Sequence, residues 1–358
     1  MSSDPADPAL ETLFLPFISE RLRWPSDGAL FLRARTGAVL QRRAWPGLVC
    51  EQTFKPEADA LRRAGFEVND QEDARRYPLV LLLPPRQRDE ARALMARAVE
   101  LAAPGGRVAV CVGNNEGARS SERDLMMLAG ELETISKNKC RVFWSAPLQG
   151  ALNAALARSW RELDGVRTIA DGRFVSRPGV FAWDRIDPAS ALLASHLPES
   201  LHGRAADLGA GFGYLSAELL RRCPGVHALD VHEGEKRALD LARRNLAAFE
   251  SRVELRYEWR DVTAGLPSRY DVIVTNPPFH AQSRAERPDV GRRFIAAAAA
   301  ALQPGGTLWL VANRRLPYEA ALDANFQRVR IVAQQDGFKI VEAAKEPSQA
   351  AAFAGRTR

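Results

Sequence analysis

Two short stretches of this 358-residue chain carry residue types and spacings that can do chemistry. The first is Asp207-Leu208-Gly209-Ala210-Gly211-Phe212-Gly213, which joins a short apolar run, Arg204 to Leu208, to a segment of helical apolar spacing, Tyr214 to Arg222. Glycines at a strand-to-helix junction permit positive φ and let a ligand come close to the backbone. Their spacing is G-x-G-x-G rather than the G-x-G-x-x-G that seats a pyrophosphate. Asp207 stands two residues before the first glycine, where a carboxylate can pair with a cationic ligand. S-adenosylmethionine carries an ammonium and a sulfonium and no pyrophosphate. The turn therefore reads as a pocket for that cofactor, with Asp207, Gly209, Gly211 and Gly213 as its binding residues; the plainer alternative is a glycine-rich turn with no ligand.

The second stretch is Asn276-Pro277-Pro278-Phe279, at the end of the buried-strand run Tyr270 to Thr275. Ligands of open α/β sheets gather at the carboxyl ends of strands. Two prolines fix φ and remove two backbone donors, so only acceptors face the site. The Asn276 side-chain oxygen and the Pro277 carbonyl would then hold an exocyclic amine and steer its lone pair toward a methyl sulfonium. Phe279 offers a flat face on which a base can stack, worth about 1–3 kcal/mol in single-strand binders. Methyl transfer of this kind rests mainly on positioning, with the reacting atoms held in line at about 3–3.5 Å. Two acids complete the expected site. Asp230, at the end of the next strand-like run, suits the ribose hydroxyls, or else caps the helix that follows. Asp261, after the third run, suits the adenine amino group, or else is a surface cap.

These residues need a frame, and the chain supplies one. Its second half alternates strand-like runs at Val226–Val231, Arg252–Glu258, Tyr270–Thr275 and Thr307–Ala312 with helical stretches at Glu233–Phe249 and Arg292–Leu302. Two closing runs, Arg328–Gln334 and Gly337–Glu342, suggest an antiparallel hairpin at a sheet edge. The first half alternates similarly, with strand-like runs at Gly28–Arg35, Gly47–Phe54, Tyr77–Leu83 and Arg107–Val112 and helical stretches at Lys55–Gly65 and Arg88–Ala102. Alternation of this kind calls for mostly parallel sheets covered by helices. The fold class expected is α/β, two tandem Rossmann-like domains, at residues 1–150 and 166–345. Asp171-Gly172 favours a hairpin turn, placing a small hairpin at the start of the second domain. A coarse repeat links the halves: Pro84-Pro85 and Pro104-Gly105-Gly106 echo Pro277-Pro278 and Pro304-Gly305-Gly306. The first copy has lost the chemistry, with Leu83 where Asn276 stands and Arg86, a residue suited to phosphate, where Phe279 stands.

Composition sets outer limits. Hydrophobic residues at 46% and charged residues at 26% are globular values, so packed cores rather than disorder are expected. A net charge of +6 is compatible with a polyanionic partner without requiring one. Cys50, Cys111, Cys140 and Cys223 are scattered, without metal-site spacing, so no metal is expected. No apolar run is long enough to span a membrane, and Met1 to Leu10 lacks the pattern of a secretory signal. A cytoplasmic monomer is the expectation.

Asp207 to Gly213 and Asn276 to His280, with Pro178-Gly179-Val180-Phe181 upstream and Val311-Ala312-Asn313 and Leu316-Pro317-Tyr318 downstream, resemble the ribosomal RNA guanine-N2 methyltransferases of the RsmC and RlmG type. The resemblance is strongest over residues 166–342 and weaker in the first half, at Gly113-Asn114-Asn115 and Arg119-Ser120. It implies two methyltransferase-like domains in tandem, the first degenerate and without cofactor; the decayed repeat and Arg86 add the expectation that this first domain is a structural, RNA-binding partner. It also implies an S-adenosylmethionine-dependent enzyme that methylates the N2 amine of a guanine in rRNA or an assembled subunit. Catalysis would fall to Asn276, Pro277 and Phe279, cofactor contacts would include Asn276, and substrate contacts Phe279 and His280. Two other readings remain open at this point. One is an N-P-P-F amino methyltransferase acting on DNA adenine or a protein glutamine; the other is a non-catalytic RNA-binding ribosome assembly factor.

Overall fold

The computed structural model describes residues 7–72, 74–278 and 288–346. The chain divides into two compact units. One takes in the described residues up to Val166 together with Arg177–Gly179, the other Arg167–Ser176 and the described residues from Val180 on.

The first unit is built on strands β1 Ala29–Leu32, β2 Leu48–Glu51, β3 Glu67–Asn69, β4 Tyr77–Leu82, β5 Ala102–Gly113, β6 Leu132–Lys137 and β7 Cys140–Ser145. They lie in the order β3-β2-β1-β4-β5-β7-β6, with β1 to β5 parallel and β7 antiparallel to both β5 and β6. Strands β1 and β2 are buried at every residue, the signature of a sheet covered on both faces. Period-two alternation then sorts the core. Leu30, Leu32, Val80 and Leu82 enter one apolar cluster, and Phe31, Leu79 and Leu81 another.

The second unit opens with a two-stranded hairpin, β8 Arg167–Ile169 and β9 Phe174–Ser176. Its sheet comprises β10 His202–Leu208, β11 Gly225–Glu233, β12 Glu254–Trp259, β13 Tyr270–Thr275, β14 Leu302–Asn313, β15 Arg328–Gln335 and β16 Phe338–Ala344. The order β12-β11-β10-β13-β14-β16-β15 repeats that of the first sheet strand for strand, and β14, β16 and β15 are again antiparallel neighbours. Small bonds repeat as well. Gly105 N donates to Leu148 O and Leu148 N to Gly106 O; Gly305 N donates to Glu346 O and Lys345 N to Gly306 O. The α/β architecture of two Rossmann-like sheets with an antiparallel edge hairpin is thus the observed one.

Several details differ from the sequence reading. Strands β6 and β7 fall where no strand is expected, because β6 is polar and only half covered; Asn138 and Lys139, at φ +52° and +57°, form the tight turn between them. A helix at Ala154–Glu162 lies in the stretch left between the two expected domains, and in the first unit it packs on the helix Arg88–Leu101. Arg86 is already paired with Glu116, its Nε 2.9 Å from Oε1.

Candidate active site

Strand β10 ends at Leu208 and the helix Tyr214–Arg222 begins six residues later, so the intervening turn is tight. Gly209 and Gly211 hold φ of +73° and +57°, a region that side-chain-bearing residues rarely adopt. The turn is tied to β11 by Gly209 N and Ala210 N, which donate to His232 O at 2.8 and 3.2 Å. A Cβ built on Gly211 meets nothing within 4 Å, because that side of the turn opens into a cavity lined by Asp207, Gly209, Gly211 and Asn276.

Asp207 is buried at 1% exposure, and its Oδ2 accepts from Ser216 Oγ at 2.7 Å. Burial pushes its carboxyl up to about 7, the Ser216 hydrogen bond works the other way, and the charge of Glu233 adds to the rise. A carboxylate in this position gains from a cation entering the cavity. Glu233, the last residue of β11, accepts from Gly211 N at 2.7 Å and from Glu235 N at 2.7 Å. Its own pKa is raised, chiefly by desolvation.

Asn276 follows β13 at the opposite lip of the cavity. Its Nδ2 donates to Asp187 Oδ2 at 2.9 Å and to Ser190 Oγ at 2.8 Å. Its Oδ1 is buried and has no hydrogen-bond partner. A buried acceptor left open costs free energy unless something supplies a donor. Phe181, 63% exposed, stands on the rim.

A family model described as the Methyltransferase small domain matches residues 171–342. Ribosomal RNA small subunit methyltransferase C of Pasteurella multocida is 32% identical over 66% of this chain and 71% of its own length. Ribosomal RNA small subunit methyltransferase C of Alcanivorax borkumensis is 35% identical over 60% of this chain, and the match spans 63% of that relative's length. A solved structure of the T. thermophilus 16S rRNA N2 methyltransferase RsmC, in complex with AdoMet and guanosine, superposes with a TM-score of 0.77 at 25% identity, covering 95% of this chain and 92% of that one. The chain belongs to the RsmC/RlmG family of ribosomal RNA methyltransferases.

Within this RsmC/RlmG frame the structure gathers only part of the expected residue set. Asp207, Gly209, Gly211 and Asn276 meet at one cavity. Asp230 does not join them. It sits inside β11 with its carboxylate buried; Oδ1 accepts from Arg204 Nη2 at 2.6 Å and Oδ2 from Tyr270 Oη at 2.9 Å. Along a strand alternate residues face opposite ways, and β11 runs three residues past Asp230, so the acid at the turn is Glu233.

Gly213 is likewise a packing glycine. At φ +89° it ends the turn, and a Cβ there would stand 3.1 Å from the Ala242 Cβ of the neighbouring helix. Asp261 caps the short helical turn Val262–Ala264, its Oδ1 accepting from Thr263 N at 2.9 Å and Thr263 Oγ1 at 2.6 Å. It is absent from the cavity wall. Pro277 is buried, and Phe279 and His280 lie outside the described residues. Asp187 and Ser190 were missed because a cap residue at a helix start carries no chemical signature of its own. Among the described residues there is no cluster of three or more His, Cys, Asp or Glu able to hold a metal ion, and no helix long and apolar enough to cross a membrane.

Proposed function

We propose that this chain transfers a methyl group from S-adenosylmethionine to the exocyclic N2 amine of a guanine in ribosomal RNA. The observation that carries the reading is the buried, unpartnered Oδ1 of Asn276, a residue that lines the same cavity as the glycine turn. That oxygen accepts an N–H of the target amine and turns its lone pair toward the cofactor.

The residues fit the cofactor. Asp207, held up near pH 7 by burial, takes the ammonium. The open face of Gly211 admits the ligand where a side chain would block it. Glu233 has lone pairs beyond its two backbone contacts and takes the ribose hydroxyls in place of Asp230. The carboxylate of Asp261 serves the adenine amino group through the oxygen that Thr263 does not use. The cofactor, once bound, supplies a methyl group already activated on sulfur. The chain's own task is then to align the amine and exclude competing geometries, which preorganised acceptors do at no cost of reorganisation. Phe181 and Phe279 offer faces for the base, and the carbonyl of Pro277 a second acceptor. We read the first unit as a degenerate, structural and RNA-binding partner, and the protein as a cytoplasmic monomer.

Transfer of labelled methyl to separated 16S and 23S rRNA, followed by nucleoside analysis, tests the reading. N2-methylguanosine in one of the two rRNAs is expected. Label in adenine, in DNA or in a protein glutamine, or no transfer at all, overturns it.

A further inference from the structure

An asparagine amide is nearly symmetric in shape, so something outside it must decide which end faces the cavity. Resting on the reading of Asn276 as the acceptor for the target amine, we infer that Asp187 and Ser190 are positioning residues that fix this amide with its oxygen toward the substrate. Both hydrogens of Asn276 Nδ2 are taken: one by Asp187 Oδ2 at 2.9 Å, the other by Ser190 Oγ at 2.8 Å. The carboxylate is an acceptor only. The single hydrogen of Ser190 Oγ is directed at Asp187 Oδ2, 3.1 Å away, which leaves the serine oxygen free to accept. A flipped amide would set Oδ1 against two oxygens and turn its donors into the cavity. The flip is therefore opposed from both sides.

The orienting pair is itself fixed by the fold. Asp187 is the N-cap of the helix Pro188–His196, and its Oδ2 also accepts from Ser190 N at 2.8 Å. Pro188 at the first helical position suits the helix start. The helix packs on β14 and β16, so the cap cannot drift independently of the sheet that carries Asn276. One carboxylate oxygen thus starts a helix and orients an amide across the cavity.

Three variants separate positioning from folding. Ser190→Ala removes one acceptor while leaving the Asp187 cap on the backbone of residue 190. Asp187→Ala removes the other acceptor and the cap. Asp187→Asn retains an acceptor and remains a good N-cap. In the full-length protein, Ser190→Ala and Asp187→Ala are expected to lower kcat about 10- to 100-fold. The KM for an rRNA fragment and the affinity for S-adenosylhomocysteine stay within about twofold, and Asp187→Asn restores most of the rate. In an Asn276→Ala background neither variant should lower kcat further. Losses that multiply in that background, or wild-type turnover in both single variants, overturn the inference.

A second measurement does not depend on turnover. With asparagine side chains labelled in nitrogen, the Asn276 amide protons should exchange slowly in the wild type and faster in Ser190→Ala. Fast exchange in the wild type overturns the positioning. Slow exchange combined with full activity of Asn276→Ala overturns instead the role given to Asn276, and the two failures are told apart.

Discussion

The turn after β1 and the turn after β10 occupy the same place in two sheets of identical strand order, and the second of them lines a cavity. Leu32-Arg33-Ala34-Arg35 stands where Leu208-Gly209-Ala210-Gly211 stands in the second unit. The backbone is retained at the start of the turn: Arg33 holds φ +56° against +73° at Gly209, and Ala34 N donates to Glu51 O at 3.2 Å as Ala210 N does to His232 O; the positive φ of Gly211 has no counterpart at Arg35. The side chains differ. Phe31 replaces Asp207, Gln52 replaces Glu233, and Leu83 replaces Asn276. Gln52 donates through Nε2 to Ala34 O at 2.6 Å and accepts from Phe54 N at 2.8 Å, so the first turn satisfies its own polar groups with its own side chains. Arg33 turns to Thr53, 3.4 Å away, and to Glu90, 3.5 Å away. A scaffold outlives its site because its buried strands do not depend on the turn's contents. What distinguishes the second turn from the first is the unpartnered Asn276 Oδ1 beside it.

The largest test of this contrast is Gly211→Val. Its side chain would occupy the open face of the second turn at a strained φ, and titration calorimetry with S-adenosylhomocysteine should lose its signal altogether. Retained binding would mean that the ligand lies elsewhere. Next comes Asn276→Ala, which removes the open acceptor. Methyl transfer should fall about 10²- to 10³-fold while S-adenosylhomocysteine affinity is largely kept; equal loss of both would make Asn276 a cofactor ligand only.

A smaller effect follows from Asp207. Its folded pKa, up to about 7, lies above the usual carboxylate value, so the folded cofactor-free protein holds a proton that the unfolded chain releases. This group's contribution to stability therefore falls as pH rises from about 4 to 7. A ligand ammonium favours the ionised form, so S-adenosylhomocysteine should bind about tenfold more weakly at pH 6 than at pH 8, releasing a proton. Affinity independent of pH over that range would place the ammonium away from Asp207. The smallest change is expected from placing glycines in the first turn. Arg33→Gly with Arg35→Gly should leave one equivalent of ligand bound per chain, since Phe31 and Leu83 supply no polar partner. Two equivalents would show that glycine alone makes the site.

The frame was legible in sequence where burial is two-sided. Tyr77–Leu82 and Tyr270–Thr275 are continuous apolar runs, and β13 has the residues expected of it. Strand β6 was not legible, since Leu132–Lys137 is an edge strand of polar residues that pairing with β7 alone makes a strand. The glycine turn and Asn276 were legible because few arrangements other than a ligand site use them. The choice between Asp230 and Glu233 was not. It depends on how far β11 continues and on which face register delivers, and both are fixed by pairing with β10 and β12 rather than by local composition. The first unit's turn was not legible for a similar reason, as Arg33 holds without a glycine the positive φ that Gly209 advertises.

The polar knot around Asp230 has a consequence for how the second sheet finds a single arrangement. On the face it shares, Ala206, Leu208 and Ile273 are apolar and would tolerate a slip of two residues between parallel strands, which preserves the alternation. Asp230 does not tolerate it. Only in the observed pairing, with Asp230 opposite Ala206, does its carboxylate meet both Arg204 and Tyr270, while Tyr270 in turn lies 3.0 Å from the buried His232. Any shifted pairing leaves a charge stranded in the interior at a cost of several kcal/mol. Asp230 thereby ties the register of β10, β11 and β13 to a set of polar contacts that apolar packing alone does not require.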